Sequence, residues 1–162
     1  MKIYHTSPQK ITEINNYQGP FAGSLFFSNE IYQMSSVSRH LYSIDIDIND
    51  NQIIDVNDLY CEDAVEQIID KAQSDLDLTL DQDEAEALLD ASDQVWNHEC
   101  EGNKGDYDWW LQGVQGRVAR EKGFICCESM DEQGIVYIVN LIGLENILKY
   151  EGLVQDFEQF SI

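Results

Sequence analysis

Basic side chains are scarce in this chain. Lys and Arg together number 9 among 162 residues, against 31 Asp and Glu, for a formal net charge of -22. Contacts to phosphate rest on Lys and Arg, so the shortage argues against direct binding of nucleic acid. It favours a basic partner or a cationic ligand. No apolar run reaches the roughly 18 residues of a membrane-spanning helix. The segment Met1-Lys-Ile-Tyr-His5 lacks the long apolar core of a signal peptide, which makes the cytosol the expected location. The four cysteines include the adjacent Cys126 and Cys127 and no C-x-x-C, so neither a disulfide framework nor a metal-ligand pattern is present. Reduced, buried thiols are expected. His5, His40 and His98 are not spaced for zinc. There is no internal repeat and no low-complexity segment.

What is there reads as a folded chain. A hydrophobic content of 43% argues against wholesale disorder, and 162 residues suffice for one domain with a real core, expected to span 1–162. Lys2-Ile3-Tyr4-His5 predicts a first strand, and Ser7-Pro8 a helical turn with Ile11 and Ile14 facing inward. Leu25-Phe26-Phe27 predicts a second strand, ending at Ser28, which can cap a helix through Ile31, Tyr32 and Met34. Leu41 to Ile48 alternates apolar and polar side chains and predicts a half-buried strand, with Ser43, Asp45 and Asp47 on its wet side. Asn49-Asp50-Asn51 turns the chain into Ile53-Ile54. From Glu62 the period becomes helical, with a stripe of Ala64, Val65, Ile68, Ile69 and Ala72. Thr79-x-x-Gln82 reads as a capping box for a second helix with Ala85, Leu88, Leu89, Val95 and Trp96 on its apolar side. A third helix is expected from Asp106, packing Trp109, Trp110, Leu111, Val114 and Val118, and stopping at Gly123. Phe124 to Cys127 and Ile135 to Val139 predict two strands joined by a hairpin at Asp131-Glu132-Gln133-Gly134. Leu144 to Leu148 predicts a short helical turn. Strands at both ends and helices between them give a mixed α+β fold.

Several chemistries fall away on inspection. Asp45-x-Asp47-x-Asn49 begins like a calcium loop, but position six is Asp50 where Gly is needed and position twelve is Val56 where Glu is needed. A cysteine nucleophile is unsupported, because Cys126 and Cys127 lie in an apolar strand without a basic neighbour. No metal site is expected. Two features remain. His5 ends the first strand ahead of Thr6-Ser7-Pro8, and the hairpin carries Glu128, Asp131 and Glu132 at or beside its bend. The stretch from Ile44 to Asp93 adds an acidic band in which Lys71 is the sole basic residue.

Tyr4-His5-Thr6-Ser7, Phe26-Phe27-Ser28 followed by Tyr32, and the late Gly123-Phe124 strand with its polar hairpin resemble ADP-ribosyltransferases of the diphtheria-toxin and PARP-like type. A closer similarity is to a family of phage anti-CRISPR ADP-ribosyltransferases acting on the type I-F Cascade complex. Trp110-Leu-Gln-Gly-Val-Gln-Gly-Arg-Val-Ala-Arg-Glu-Lys-Gly-Phe124, continuing to Glu128 and Asp131-Glu-Gln-Gly134, is similar to that family's C-terminal half. His5-x-Ser7 and Phe21-Ala-Gly-Ser-Leu-Phe26 are similar to its first half. The likeness covers roughly half the chain; between Gln52 and Gly105 it holds only in general character.

The resemblance implies a small mixed sheet of ADP-ribosyltransferase type, with an acidic helical segment of about residues 60–122 inserted in it. It implies NAD+ as substrate and a positively charged, oxocarbenium-like transition state, as in glycoside cleavage. By this likeness Tyr4, His5, Thr6, Ser7, Phe27, Ser28 and Tyr32 bind the dinucleotide. His5 turns to a ribose hydroxyl, the Thr6 backbone to the carboxamide, and Phe27 or Tyr32 to the departing ring. Asp131 is the catalytic carboxylate and Glu128 the second choice. Two departures stand out: Thr6 replaces the usual glycine, and Ile135 and Val136 stand where the wider family places its glutamate. The implied partner is a protein, with the PAM-recognition subunit of Cascade as the implied target, and neither nucleic acid nor membrane is contacted directly. Two competing readings are a stoichiometric acidic DNA mimic without catalysis and a toxin-like transferase or NAD hydrolase with another target.

Overall fold

The computed structural model describes residues 1–7, 10–11, 23–31, 40–47, 52–131 and 134–154, with only the backbone of Asp131. The expected turn at Pro8, with Ile14, the helix through Tyr32 and Met34, the end of the strand at Ile48, and Glu132 all lie outside these residues. The strands are β1 (Lys2–Ser7), β2 (Ser24–Phe27), β3 (His40–Asp45), β4 (Ile53–Asp55), β5 (Cys126–Asp131), β6 (Gly134–Asn140) and β7 (Lys149–Leu153). Between β4 and β5 run the helices α1 (Glu62–Leu76), α2 (Gln82–Leu89) and α3 (Lys104–Glu121).

The fold is α+β, and its strands form two sheets where one mixed sheet was expected. One has the order β1-β3-β7 and the other β2-β6-β5-β4. All pairs are antiparallel except β4 with β5. Among the described residues the sheets meet at one backbone bridge: Tyr4 N–H donates to the Ser28 carbonyl at 2.7 Å and Ser28 N–H to the Tyr4 carbonyl at 2.9 Å.

Strand alternation assigns the two faces of the larger sheet to two cores. Cys126 pairs with Val139 and packs with Ile3, Phe27, Ile44, Ile46 and Tyr137 between the sheets. Cys127 pairs with Ile138 and belongs to the helical core with Ile68, Leu88, Val114 and Val118. Successive strand residues point to opposite faces, so adjacent cysteines enter different cores and cannot cooperate. Burial pushes the Cys126 thiol up to about 12 and Cys127 higher still, the inert thiols the sequence suggests.

The helices follow their stripes, with corrections at the ends. Ala64, Val65, Ile68 and Ala72 of α1 are buried as expected. The capping box of α2 sits two residues later than Thr79-x-x-Gln82. Asp81 accepts from Glu84 N–H at 2.8 Å, and the Glu84 carboxylate accepts from Asp81 N–H at 3.1 Å. Thr79 donates instead to Gln73 at 2.9 Å. Helix α2 stops at Leu89, Ala91 takes a φ of 62°, and Val95–Asn97 form a separate 3-10 turn that leaves Trp96 56% exposed. Helix α3 begins at Lys104, because Asn103 accepts from Asp106 N–H at 3.0 Å, and it ends before Gly123 at φ 93°.

Two strands depart from expectation. β3 is the central strand of its sheet, with Leu41 and Ser43 fully buried, so it has no wet side before Asp45. β7 was not anticipated. Lys149-Tyr-Glu-Gly-Leu153 carries a single aliphatic residue, yet it pairs with β3 as an edge strand.

Candidate active site

The bridge between Tyr4 and Ser28 seats the N-terminal cluster at the junction of the two sheets. His5 follows Tyr4 on β1 and is half-buried, with Nδ1 2.8 Å from the Phe26 carbonyl oxygen. A carbonyl only accepts, so Nδ1 carries the proton. Burial lowers the His5 pKa from 6.5, more than the Phe26 bond raises it, so the imidazole is neutral near pH 7. Nε2 is then an acceptor, the form suited to a hydroxyl donor such as a ribose O–H.

Phe27 is 1% exposed, and its ring centroid lies 5.5 Å from that of His5. It supports the imidazole from within the core and presents no open face to a nicotinamide ring. Tyr32, the other aromatic candidate, lies outside the described residues. Thr6 is buried, Tyr4 and Ser7 are half-buried, and Ser28 Oγ donates to the Glu30 carbonyl. Tyr4 turns its backbone toward Ser28. Alternation along the strand then turns the backbone of Thr6 to the same side, as a carboxamide contact would need.

From Phe27 the register runs across the larger sheet. Phe27 pairs with Tyr137 on β6, and Tyr137 pairs with Glu128 on β5. The Tyr137 hydroxyl reaches the Glu128 carboxylate at 3.5 Å, a long contact. Glu128 therefore shares the sheet face of Phe27, two strand spacings or about 10 Å from it. Asp131 is the last residue of β5 and pairs with Gly134, three residues, or about 10 Å, along β6 from Tyr137, so the alternation that puts Glu128 in the row of Phe27 does not put position 131 in it. On the other side of His5 the same row continues. His5 pairs with Tyr42 and Tyr42 with Tyr150, whose rings are 5.3 Å apart.

The sequence pointed to His5, Phe27 and Glu128 but not to their connections. The Phe26 carbonyl and the Tyr137 hydroxyl act through register, which no local pattern encodes. Among the described residues, no group of three or more His, Cys, Asp or Glu is arranged to hold a metal ion, and no helix is long and apolar enough to cross a membrane.

Two small sheets joined at a histidine-bearing first strand, with carboxylates on a late hairpin, define an α+β protein of ADP-ribosyltransferase type. The model of the family described as anti-CRISPR type I-F ADP-ribosyltransferase AcrIF11 matches residues 1–147, and the chain belongs to that family. Enzymes of this class use NAD+ as substrate. A solved structure described as "Crystal structure of an anti-CRISPR protein" aligns with a TM-score of 0.49 at 25% identity, covering 86% of this chain and 88% of that chain. No curated protein matches the sequence.

Proposed function

We propose that this chain transfers a single ADP-ribose from NAD+ to a protein of a type I CRISPR Cascade complex, with the PAM-recognition subunit as target. The observation that carries the reading is the His5 imidazole. It is neutral, fixed by its Nδ1–H bond to Phe26, and left with an acceptor for a ribose hydroxyl. By the family resemblance Tyr4, Thr6, Ser7, Ser28 and Tyr32 take the rest of the dinucleotide, with the Thr6 backbone on the carboxamide.

In the reaction the bond between ribose C1′ and the nicotinamide nitrogen breaks, and its electron pair leaves with nicotinamide. Positive charge develops on the ribose, where a carboxylate stabilises the transition state more than the ground state. Asp131 takes that role. Glu128, already engaged by Tyr137, is the second choice and orients the ribose or acceptor. The acceptor side chain adds to C1′ and gives its proton to the carboxylate or to solvent. An anionic adduct on a DNA-reading surface repels phosphate and fills the space of a groove contact.

Incubating the protein with labelled NAD+ and purified Cascade tests the reading. Label on one subunit at substoichiometric protein is the expected result. No label and no NAD+ turnover contradicts it.

A second reading has an observation of its own. Between Ala72 and Asn103 there are ten Asp and Glu and no Lys or Arg. Such a surface could occupy a DNA channel stoichiometrically. Asp131→Ala separates the two: it abolishes inhibition by an enzyme at catalytic dose and spares a mimic, whose inhibition needs no NAD+.

A further inference from the structure

Trp96 has the pattern of a core residue in the sequence, and the fold turns it outward. At 56% exposure it is the most open Trp, Tyr or Phe side chain among the described residues. A loose aromatic ring at a surface is ordinary. This one is held in place. Val95, just before it, is fully buried in the helical core. The Asp93 carboxylate accepts from Gln94 N–H at 2.8 Å and from the Asn97 side chain at 2.9 Å, and it lies 2.7 Å from His98 Nε2, which locks the turn. The Trp96 indole N–H donates to the carboxylate of Asp108 on α3, an acid that also accepts from Gln112 at 3.0 Å. The ring lies along the first turn of α3, where a Cβ on Gly105 would stand 4.0 Å from Trp96 Cη2. A large side chain ordered in advance and left in water suits contact with a second molecule, because little rotamer freedom remains to be lost. With its N–H engaged, the indole offers only its apolar, electron-rich face.

Charge decides what that face receives. From Asp81 to Asp108 the chain holds ten Asp and Glu and one basic residue, Lys104. Glu99 and Glu101, in the loop between Trp96 and α3, are exposed. A second copy of this chain, a nucleic acid or an anionic membrane would each bring like charge to this face. A basic protein surface brings the opposite charge, and an arginine on it stacks on the indole as a cation over a π face.

We propose that Trp96 and the carboxylates around it are a docking surface for the acceptor protein, which meets them with an arginine-bearing, nucleic-acid-binding face. The inference rests on the transferase reading above for the partner's role as acceptor. The helices cover the Cys127 face of the larger sheet, whereas Phe27 and Tyr137 point to the other face. A partner held at Trp96 therefore leaves the row from His5 to Glu128 open to the dinucleotide. The docking surface sets how tightly the acceptor is held, and the row sets how fast it is modified.

Two measurements with purified type I-F Cascade test the surface. They use the native protein, Trp96→Ala, and a double variant carrying Glu99→Gln and Glu101→Gln, each checked for native thermal unfolding. Surface plasmon resonance at low and high salt follows binding, and labelling from NAD+ is measured over a range of Cascade concentrations. Trp96→Ala is expected to weaken binding about tenfold and to raise KM for Cascade by a similar factor, with kcat and NAD+ affinity unchanged. The double variant is expected to bind about threefold more weakly, with a shallower salt dependence. Native binding and native KM in a folded Trp96→Ala overturn the docking surface and leave the transferase reading standing. If that variant does not fold, native affinity and salt dependence in the double variant overturn it. Weakened binding by Trp96→Ala in a system with no NAD+ turnover overturns the transferase reading and leaves the surface. A native protein that does not bind Cascade overturns the surface.

Discussion

The carbonyl oxygen of Phe26 accepts the Nδ1 proton of His5 at 2.8 Å, binding the first strand's imidazole to the second strand's backbone. This bond sets the tautomer, and burial lowers the pKa of the ring from 6.5. A histidine whose folded-state pKa is lowered binds its proton more readily when unfolded. Its contribution to stability is therefore present above pH 6.5 and is lost as pH falls from there toward the folded-state pKa. Denaturant unfolding at several pH values, compared with His5→Ala, should show that loss in the native chain and a smaller one in the variant. NAD+ affinity should fall at lower pH than that, as pH passes through the lowered folded-state pKa, since the protonated ring has no acceptor left.

The two hairpin carboxylates are expected to separate kinetically. Asp131→Asn should lower kcat by about 100-fold or more while NAD+ affinity stays within about twofold. Glu128→Gln should cost about tenfold, because its charge is shared with the Tyr137 hydroxyl. Single-turnover rates with matched NAD+ titrations measure both. The reverse order would exchange their roles.

Helix α3 approaches the larger sheet closely enough to demand glycine at one position. A Cβ on Gly116 would stand 2.7 Å from Ile138 Cγ2 and 2.9 Å from Ser24 Oγ. Alanine gains about 1 kcal/mol of helix propensity, but the clash with a β-branched core residue is expected to outweigh it. Urea unfolding of Gly116→Ala should show a net loss of about 1–2 kcal/mol.

The second helix provides a local check. Asp81→Ala removes a cap that accepts from Glu84 N–H at 2.8 Å and should destabilise the protein by about 1 kcal/mol. Thr79→Ala should change stability by less than about 0.5 kcal/mol. Thermal and urea unfolding of the two variants compare them.

Much of this architecture can be read along the chain, wherever one residue's role depends on near neighbours. The stripe of α1, the stop at Gly123 and the β5–β6 hairpin are of that kind. What escaped reading depends on partners distant in sequence. Leu41 to Asp45 alternates as a half-wet strand should, yet β7 and β1 flank it and bury Ser43 on its supposed wet side. β7 itself has too few apolar residues to announce a strand; pairing with β3 makes it one. Capping failed for a subtler reason. Thr79 and Asp81 are both good N-caps, and the choice falls to Asp81 because Glu84 follows it at the reciprocal position. At the site, His5 and Glu128 could be singled out, but the register linking them through Phe27 and Tyr137 could not. Phe27 reads as a stacking surface in sequence and is a core residue in the fold.

The most direct test of the central claim is mass spectrometry of type I-F Cascade after incubation with NAD+ and this protein at substoichiometric dose. The account predicts one ADP-ribose increment on the subunit that reads the PAM, free nicotinamide in equal amount, and neither product with Asp131→Asn. Inhibition of Cascade at one-to-one dose, with no increment on any subunit and no dependence on NAD+, would contradict it.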